Sequence, residues 1–325
     1  MTVATRAIRG SVSVLVVAGM LAAGACSSSS GGKVSATKGS LASSVNLKGT
    51  KITVGSKEFT EQLILGKMLV LTLKAAGATV KDQTKLVGTP VVRKALTTGK
   101  IDVYDEYTGT GWINILGNTK PVPGAEPQFE AVKSADAKNN IVWLARAEAN
   151  NTYAIAGNKD AVSTYSTKTI SDYAALVRKK PSAAALCTAS EFVTRDDGLP
   201  GMSRTYGFSL PRGQVKSLDF GLVFSSVGKG NTCKYAVVFA TDGQIIAQKL
   251  TVLTDDKGFF PTYNIATTIR KSVYDKNKAA YDKIFTGLNS KLTTAVMTKL
   301  NAQVDVEGKP VEKVAETFLK DAKII

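Results

Sequence analysis

The sequence predicts an α/β protein with two lobes. Between about residues 51 and 104, candidate elements alternate as strand, helix, strand, helix, strand, an order that is typical of a parallel sheet. A second α/β alternation follows, and the pattern is helical from about 271 to 319. At 325 residues the chain is long enough for two domains of ordinary size, each with its own core.

The first lobe is predicted to open with a strand at 51–54. A long helix follows, with Thr60 as its N-cap, because Glu61 suits the first turn and aliphatic residues fill the segment behind it. A second strand at 80–87 leads to a helix that begins at Pro90, a favourable position for proline.

The central segment of this lobe, GKIDVYDEYTGTGW at 99–112, is a short strand followed by small residues. Tyr107 lies where the strand gives way to a loop, and the glycines after it let the backbone approach a ligand. In open α/β sheets, ligands bind beyond the carboxyl ends of the strands. Tyr107 is therefore a candidate ligand contact. The alternative is a buried tyrosine whose hydroxyl bonds to backbone.

The second half of the chain shows shorter elements. In order, they are predicted as strands at 141–145 and 150–156, a helix at 170–179, a strand at 183–186, a turn-rich stretch at 198–207, and extended segments at 215–222, 235–240 and 244–253.

Composition narrows the possible functions. The chain has 42 Lys and Arg against 26 Asp and Glu, a formal charge of +16, and no histidine. The lack of histidine excludes His-based triads and most zinc sites. The lysines are scattered, so the charge suits a surface near anionic lipid or cell wall better than a nucleic-acid site. We expect no cofactor, no metal and no nucleic-acid partner.

The N-terminus has the pattern of a bacterial lipoprotein signal. Arg6 and Arg9 precede an apolar stretch at 12–23, and small residues run into Cys26. We predict that residues 1–26 are a signal with a lipidated Cys26, which would anchor the protein to the outer face of a bacterial cell membrane. Residues 27–50, rich in Ser, Gly and Lys, are predicted to be a flexible tether. The alternative is a secreted protein in which Cys26 is incidental.

Two further cysteines, Cys187 and Cys233, are left as an even pair if Cys26 carries lipid. In an oxidising compartment a disulfide between them is expected, and two free buried thiols are the alternative.

Six segments occur in an order that resembles one protein family. They are VGSKEFTEQLILGKML (54–69), GTPVVRKAL (88–96), GKIDVYDEYTGTGW (99–112), NNTYA (150–154), FATDGQI (239–245) and DDKGFFPTYN (255–264). Together they are similar to the substrate-binding proteins of osmoprotectant ABC transporters, the glycine betaine/carnitine/choline type. The resemblance covers the chain from about residue 50 to the end.

The resemblance implies a two-lobed, periplasmic-binding-protein-like (type II) fold with a ligand cleft between the lobes. The first lobe would comprise 51–153 with 260–325, and the second 154–259, so that the chain crosses twice and forms a hinge. The implied partners are a small quaternary ammonium ligand and the permease and ATPase subunits of the transporter.

The resemblance also implies an aromatic cage for a quaternary ammonium group. Such a cation cannot donate a hydrogen bond, and the faces of aromatic rings attract its diffuse charge. Matching the motifs places four rings in the cage: Tyr107, Tyr153, Phe239 and Tyr263. Phe239 stands where a tyrosine is common in the family, which keeps the ring face and removes a hydroxyl. The alternative is that these are core aromatics, above all Phe239, which lies in an apolar run.

A betaine also carries a carboxylate, for which the resemblance implies three contacts: Lys57, Thr110 and Arg195. Lys57 lies just before the predicted helix start, where free N–H groups and the helix dipole favour an anion. The alternative for each is surface charge or turn bonding. These residues favour glycine betaine or a similar zwitterion, and a choline- or carnitine-preferring protein is the alternative.

Two other classes of function remain open. Asp102, Asp105 and Glu106 are close in sequence, and glycosidase-type chemistry needs two carboxyl groups. Neighbours in a strand point to opposite faces, however, and no G-x-S-x-G motif is present, so we predict that the protein is not an enzyme. A receptor or adhesin that kept the fold without transport is the second alternative.

Overall fold

Two five-stranded sheets with helices packed on them make up the computed structural model, which describes residues 35–118, 120–194 and 197–325. The first sheet and its helices begin with β1 (Lys51–Lys57), α1 (Thr60–Ala75), β2 (Thr79–Leu86), α2 (Thr89–Thr97), β3 (Val103–Tyr107), α3 (Thr108–Thr110), α4 (Ala125–Asp136) and β4 (Ile141–Asn150). A π-helical turn, Gly111–Ile115, follows α3 directly.

The second sheet is formed by the middle of the chain. Its elements are β5 (Tyr153–Asn158), α5 (Lys159–Tyr165), α6 (Ile170–Lys179), β6 (Leu186–Thr188), α7 (Ser190–Thr194), α8 (Leu199–Tyr206), β7 (Val215–Ser217), α9 (Phe220–Lys229), β8 (Tyr235–Phe239), α10 (Gln244–Ala247) and β9 (Leu250–Val252). The chain then returns to the first sheet with β10 (Asn264–Arg270), α11 (Lys271–Tyr274), α12 (Lys278–Asn289), α13 (Thr294–Asp305) and α14 (Val311–Asp321).

The two sheets share one topology. The first has the order β2-β1-β3-β10-β4, in which β1 is parallel to β2 and β3, and β10 is antiparallel to β3 and β4. The second has the order β7-β6-β8-β5-β9, in which β6 is parallel to β7 and β8, and β5 is antiparallel to β8 and β9. Each sheet therefore forms one lobe, and in each the antiparallel strand is the one that follows a crossing from the other lobe.

Burial in the first lobe follows the position of each strand. All five residues of the central strand β3 are buried, because β1 and β10 flank it. The edge strand β2, TVKDQTKL, is largely exposed and carries the charged and polar residues that keep an edge from pairing with another chain. Helix α1 packs on β1 and β2 with a mostly aliphatic buried face.

Strand β10 is absent from the sequence prediction, although it joins β3 to β4. Two threonines in its centre, Thr267 and Thr268, are fully buried and weaken any apolar signal. Their hydroxyls donate to the Asp105 carboxylate (2.6 Å) and the Tyr104 carbonyl (2.8 Å). The strand is thus stable only where β3 supplies these acceptors, which a local pattern cannot show.

Several local predictions are wrong. Residues 244–253 form α10 and the short β9, residues 215–222 split between β7 and α9, and the turn-rich 198–207 is helix α8. Short apolar runs do not distinguish strand from helix by periodicity. In α8 a proline occupies the first turn and Gly207, with φ 65°, ends the helix, so both turn signals are helix boundaries instead.

The start of α1 also differs from the prediction. The helix begins at Thr60 with Phe59 in the N-cap position, and no side chain caps it. The Thr60 hydroxyl instead donates to the Asp305 carboxylate at 2.6 Å.

The last part of the predicted tether lies on the body. Ala42 and Leu47 are buried, and the amides of Leu41 and Ala42 donate to the carbonyls of Lys323 and Ile324. The folded body therefore begins about ten residues before the predicted position 51, since its earlier part is held by buried contacts rather than by strand pairing. Cys26 and the signal segment lie outside the described residues.

Cys187 and Cys233 form a disulfide, with their Cα atoms 5.7 Å apart. It joins β6 to the segment before β8. Strands β6 and β8 are already paired in parallel. Among the described helices, none combines the length and the apolar character that a membrane crossing requires.

Candidate ligand-binding cleft

A cavity of about 640 Å³ is lined by residues of both lobes. Six of the seven predicted ligand contacts line it: Lys57, Tyr107, Thr110, Tyr153, Phe239 and Tyr263. The seventh, Arg195, lies outside the described residues. The structure therefore brings together side chains that are up to 206 positions apart in sequence, from Lys57 to Tyr263 (263 minus 57).

Sheet topology explains why these residues meet. Lys57, Tyr107 and Phe239 are the last residues of β1, β3 and β8, so they lie at the carboxyl ends of parallel strands. Tyr153 is the first residue of β5 and Tyr263 directly precedes β10, and both strands run antiparallel to their neighbours. All five therefore lie at the same edge of their sheets, where α/β proteins bind ligands.

Aromatic rings from each lobe contribute to the cavity. In the first lobe, Phe59 stacks on Tyr107 with ring centroids 6.3 Å apart and an interplanar angle of 19°. In the second, Tyr153 and Phe239 lie 5.1 Å apart. Phe59 was not predicted as a site residue. It is the more exposed of the two stacked residues, at 40%. Its position beside the N-terminus of α1, close to Lys57, is the sequence feature that could have indicated a site residue.

The ring of Tyr263 rests on a glycine. A Cβ atom at Gly109 would lie 2.7 Å from two ring carbons of Tyr263 and 2.8 Å from the Thr262 carbonyl oxygen. The small residues after Tyr107 thus serve close packing of α3 against the segment before β10. That segment holds the fourth predicted ring in place.

Lys57 is already paired inside the protein. Its Nζ lies 2.6 Å from Glu106 Oε1, and both side chains are buried. Glu106 also accepts hydrogen bonds from the Tyr104 hydroxyl (3.0 Å) and its neighbouring Tyr107 amide (2.8 Å). The Lys57 ammonium lies 5.1 Å from the centre of the Tyr107 ring. It retains N–H groups beyond the one given to Glu106, because an ammonium has three.

Tyr107 differs from the alternative in which its hydroxyl bonds to backbone. The hydroxyl donates to Glu61 Oε1 at 2.8 Å. Glu61 was predicted only as a first-turn residue of α1, yet it is buried and lines the cavity. No sequence signal separates this glutamate from one that faces solvent, because the partners that bury it come from distant segments.

A group of carboxylates lines the same side of the cavity. Asp242 follows β8 in the second lobe, and Asp305 ends α13 in the first. Burial raises the pKa of Asp242 to about 6, and the carboxylates of Asp305 and Glu61 add to the rise, while the Gln244 amide lowers it. This flank of the cavity is accordingly acidic.

The carboxylates that suggested an enzyme are used elsewhere. Asp102 accepts from the Thr53 amide at 2.7 Å and pairs with Arg270, and Asp105 accepts from Thr267. Neither they nor Glu106 belong to the cavity lining. In the described part of the chain, no group of acidic or cysteine side chains is arranged to hold a metal ion.

Two α/β lobes of like topology around a shared cleft define the class of two-lobed, periplasmic-binding-protein-like proteins. The chain belongs to the family described as the substrate binding domain of ABC-type glycine betaine transport systems, which matches residues 50–321. It is accordingly a substrate-binding protein of an ABC transporter and acts on the extracytoplasmic side of the membrane.

Relatives and a solved structure agree with this assignment. The glycine betaine-binding protein YehZ of Escherichia coli K12 is 32% identical over 278 residues, 83% of this chain and 90% of that protein. The ergothioneine transport permease/ergothioneine binding protein EgtU of Helicobacter pylori G27 is 34% identical over 273 residues, 83% of this chain and 47% of that protein. The apo structure of E. coli YehZ matches with a TM-score of 0.74 and 30% identity, covering 85% of this chain and 99% of that one.

Proposed function

We propose that the protein captures glycine betaine, or a related quaternary ammonium osmoprotectant, in the cleft and delivers it to its transporter. The observation that carries this proposal is the convergence of Tyr107, Tyr153, Phe239 and Tyr263 on one cavity. Each well-placed ring contributes roughly 0.5–2 kcal/mol to the binding of a cation. Four rings together would contribute roughly 2–8 kcal/mol, and the upper end of that range corresponds to micromolar affinity.

The carboxylate end of the ligand has candidate partners among the same cavity residues. Lys57 keeps N–H groups that do not bond to Glu106, and Thr110 is a buried cavity residue on α3. Arg195 stays a predicted third contact. Because Lys57 is neutralised by Glu106, its contribution to affinity is that of a hydrogen-bond donor more than of a free charge.

The test is calorimetry on residues 34–325, which form one compact unit. We expect micromolar binding of glycine betaine. A thermal-shift panel of glycine betaine, carnitine, choline and ergothioneine then ranks the ligands, with glycine as a control that lacks the methylated nitrogen. If none of the quaternary compounds gives heat or raises the melting temperature, the proposal fails.

The choice between zwitterion and simple cation is tested at Lys57. Lys57→Ala should lower the affinity for glycine betaine several-fold more than the affinity for choline, since only glycine betaine has a carboxylate that Lys57 can contact. Equal loss for both ligands would remove Lys57 from the ligand contacts.

We also propose that Cys26 carries the lipid that anchors the protein. The run of small residues into Cys26 supports this proposal. The full chain, expressed in bacteria with a labelled fatty acid, should acquire label in the membrane fraction, and Cys26→Ala should not. An unlabelled wild-type protein in the medium would favour the secreted alternative. Finally, we propose that the protein has no catalytic activity, which unchanged ligand after prolonged incubation would support.

A further inference from the structure

The Glu61 carboxylate lies in the cavity wall, with 3% of the residue exposed. Its Oε1 accepts hydrogen bonds from the Tyr107 hydroxyl (2.8 Å) and the Asn151 amide (3.0 Å), and its Oε2 accepts from the Asn301 amide (3.0 Å). These donors come from the end of β3, the crossing between lobes and helix α13. Glu61 is therefore fixed by three separate parts of the fold.

None of these three donors carries a positive charge. Lys57, which also lines the cavity, is paired with Glu106 instead. A further hydrogen bond comes from the Thr241 side chain in the second lobe, so four donors share a carboxylate with about four lone-pair sites. Burial raises the pKa of Glu61 above its ordinary value, and these hydrogen bonds oppose the rise. In its ionised form Glu61 is therefore a negative charge with no capacity left for another donor.

This combination suits a quaternary ammonium group. A quaternary ammonium group carries a charge but has no N–H. It is stabilised by the negative potential and needs no hydrogen-bond acceptor. A primary ammonium would have to leave its N–H groups unpaired against a carboxylate that is already saturated, which costs free energy. At this carboxylate, methylated cations are therefore favoured over unmethylated ones.

We propose that Glu61 is the counter-charge for the ammonium group of the ligand, and that it also holds Tyr107 in the cage. This inference deepens the proposed function and rests on it.

The test compares choline with 3,3-dimethyl-1-butanol, its uncharged isostere, on residues 34–325. Glu61→Gln should lower the affinity for choline roughly tenfold and change the affinity for the isostere by no more than about twofold. A tenfold loss is the order expected for two opposite charges several ångströms apart at intermediate dielectric. Glu126→Gln is the matched control, because it removes the same charge from the same lobe at a side chain that is 62% exposed. The control should leave both affinities unchanged.

The outcomes separate this inference from the proposed function. Equal loss of choline and the isostere in Glu61→Gln would give Glu61 a structural role only, and the inference would fall while the function stood. A wild-type protein that binds no quaternary ammonium compound would overturn both. If Glu61→Gln does not fold, Glu61→Asp replaces it. That variant keeps the charge and should keep the preference for choline, and a folded Glu61→Asp without the preference would contradict the inference.

Discussion

The Tyr107 hydroxyl is bonded to Glu61, so we expect the ring face, and not the hydroxyl, to contact a ligand. Tyr153 has a similar position in the other lobe, where it packs against Phe239 and Phe192. Its ring centroid lies 5.1 and 5.2 Å from theirs. Both rings are nine-tenths or more buried, and neighbouring aromatic side chains limit their freedom. A preorganised ring costs little conformational entropy when a ligand binds.

Replacing either ring should weaken binding while the fold persists. Tyr107→Ala and Tyr153→Ala are each expected to lower affinity for glycine betaine roughly fivefold to thirtyfold, from the loss of one cation–π contact. Calorimetry measures the loss, and circular dichroism checks the fold. Tyr274→Ala, the same change outside the cavity, should bind normally. Unchanged affinity in both cage variants would contradict the cage.

Asp105 makes a prediction about stability and pH. Burial in β3 raises its pKa to about 7 and the nearby Glu106 carboxylate adds to the rise, against the hydrogen bond from Thr267. Because this folded-state pKa lies above the ordinary value of 3.8 for an unfolded aspartate, the neutral carboxyl favours folding at low pH. That contribution is lost as the pH rises through about 7.

Asp105→Asn should therefore stabilise the protein at pH 8, because it removes a buried charge and keeps an acceptor for Thr267. The gain in the free energy of unfolding is expected to be on the order of a few kcal/mol at pH 8 and to shrink by pH 5, where the wild type is already neutral. Urea titrations at the two pH values measure it. Asp321→Asn, at an exposed position, should show no such difference. A variant that is less stable at pH 8 would refute the prediction.

At the scale of elements, α3 is built around its contact with the segment before β10. Gly109→Ala would place a methyl group 2.7 Å from the Tyr263 ring and 2.8 Å from the Thr262 carbonyl oxygen, so α3 and the segment that carries the ring must move apart. We expect several-fold weaker glycine betaine binding and a lower melting temperature. The comparison is Gly213→Ala, where a Cβ would meet no atom within 4 Å. Wild-type binding by Gly109→Ala would show that the position of Tyr263 does not matter.

The elements also show what sequence can and cannot predict. Residues such as Tyr107 and Lys57 could be found, because glycine-rich strand ends and family motifs mark them locally. Glu61 and β10 could not, since each depends on partners more than a hundred positions away, Asn301 for the one and Asp105 for the other. Helix α8 was missed for a different reason, because the same Gly and Pro residues mark turns and helix ends.

For the whole molecule, the acidic flank of the cleft links ligand binding to pH. Asp242 in the second lobe faces Asp305 and Glu61 in the first, and its pKa of about 6 places its titration near neutrality. A bound cation favours the ionised form. Affinity for choline should therefore fall roughly threefold to tenfold between pH 8 and pH 5, as Asp242 takes up a proton.

Asp242→Asn isolates this effect. The variant should bind choline less tightly than the wild type at pH 8 and show a smaller change on going to pH 5. Calorimetry at both pH values, with circular dichroism to check folding, provides the measurement. A wild-type affinity that does not vary over this range would exclude a contribution from the acidic flank.

The place of β10 has a consequence for biosynthesis. Strands β3 and β4 are not paired with each other, and the strand that joins them is synthesised only after all the strands of the second sheet. The middle segment can complete its own sheet while the earlier one still has a gap between β3 and β4. The first sheet is therefore completed last, when β10 pairs with β3 and β4. Until then the edges of β3 and β4 are exposed to chaperones or to mispairing.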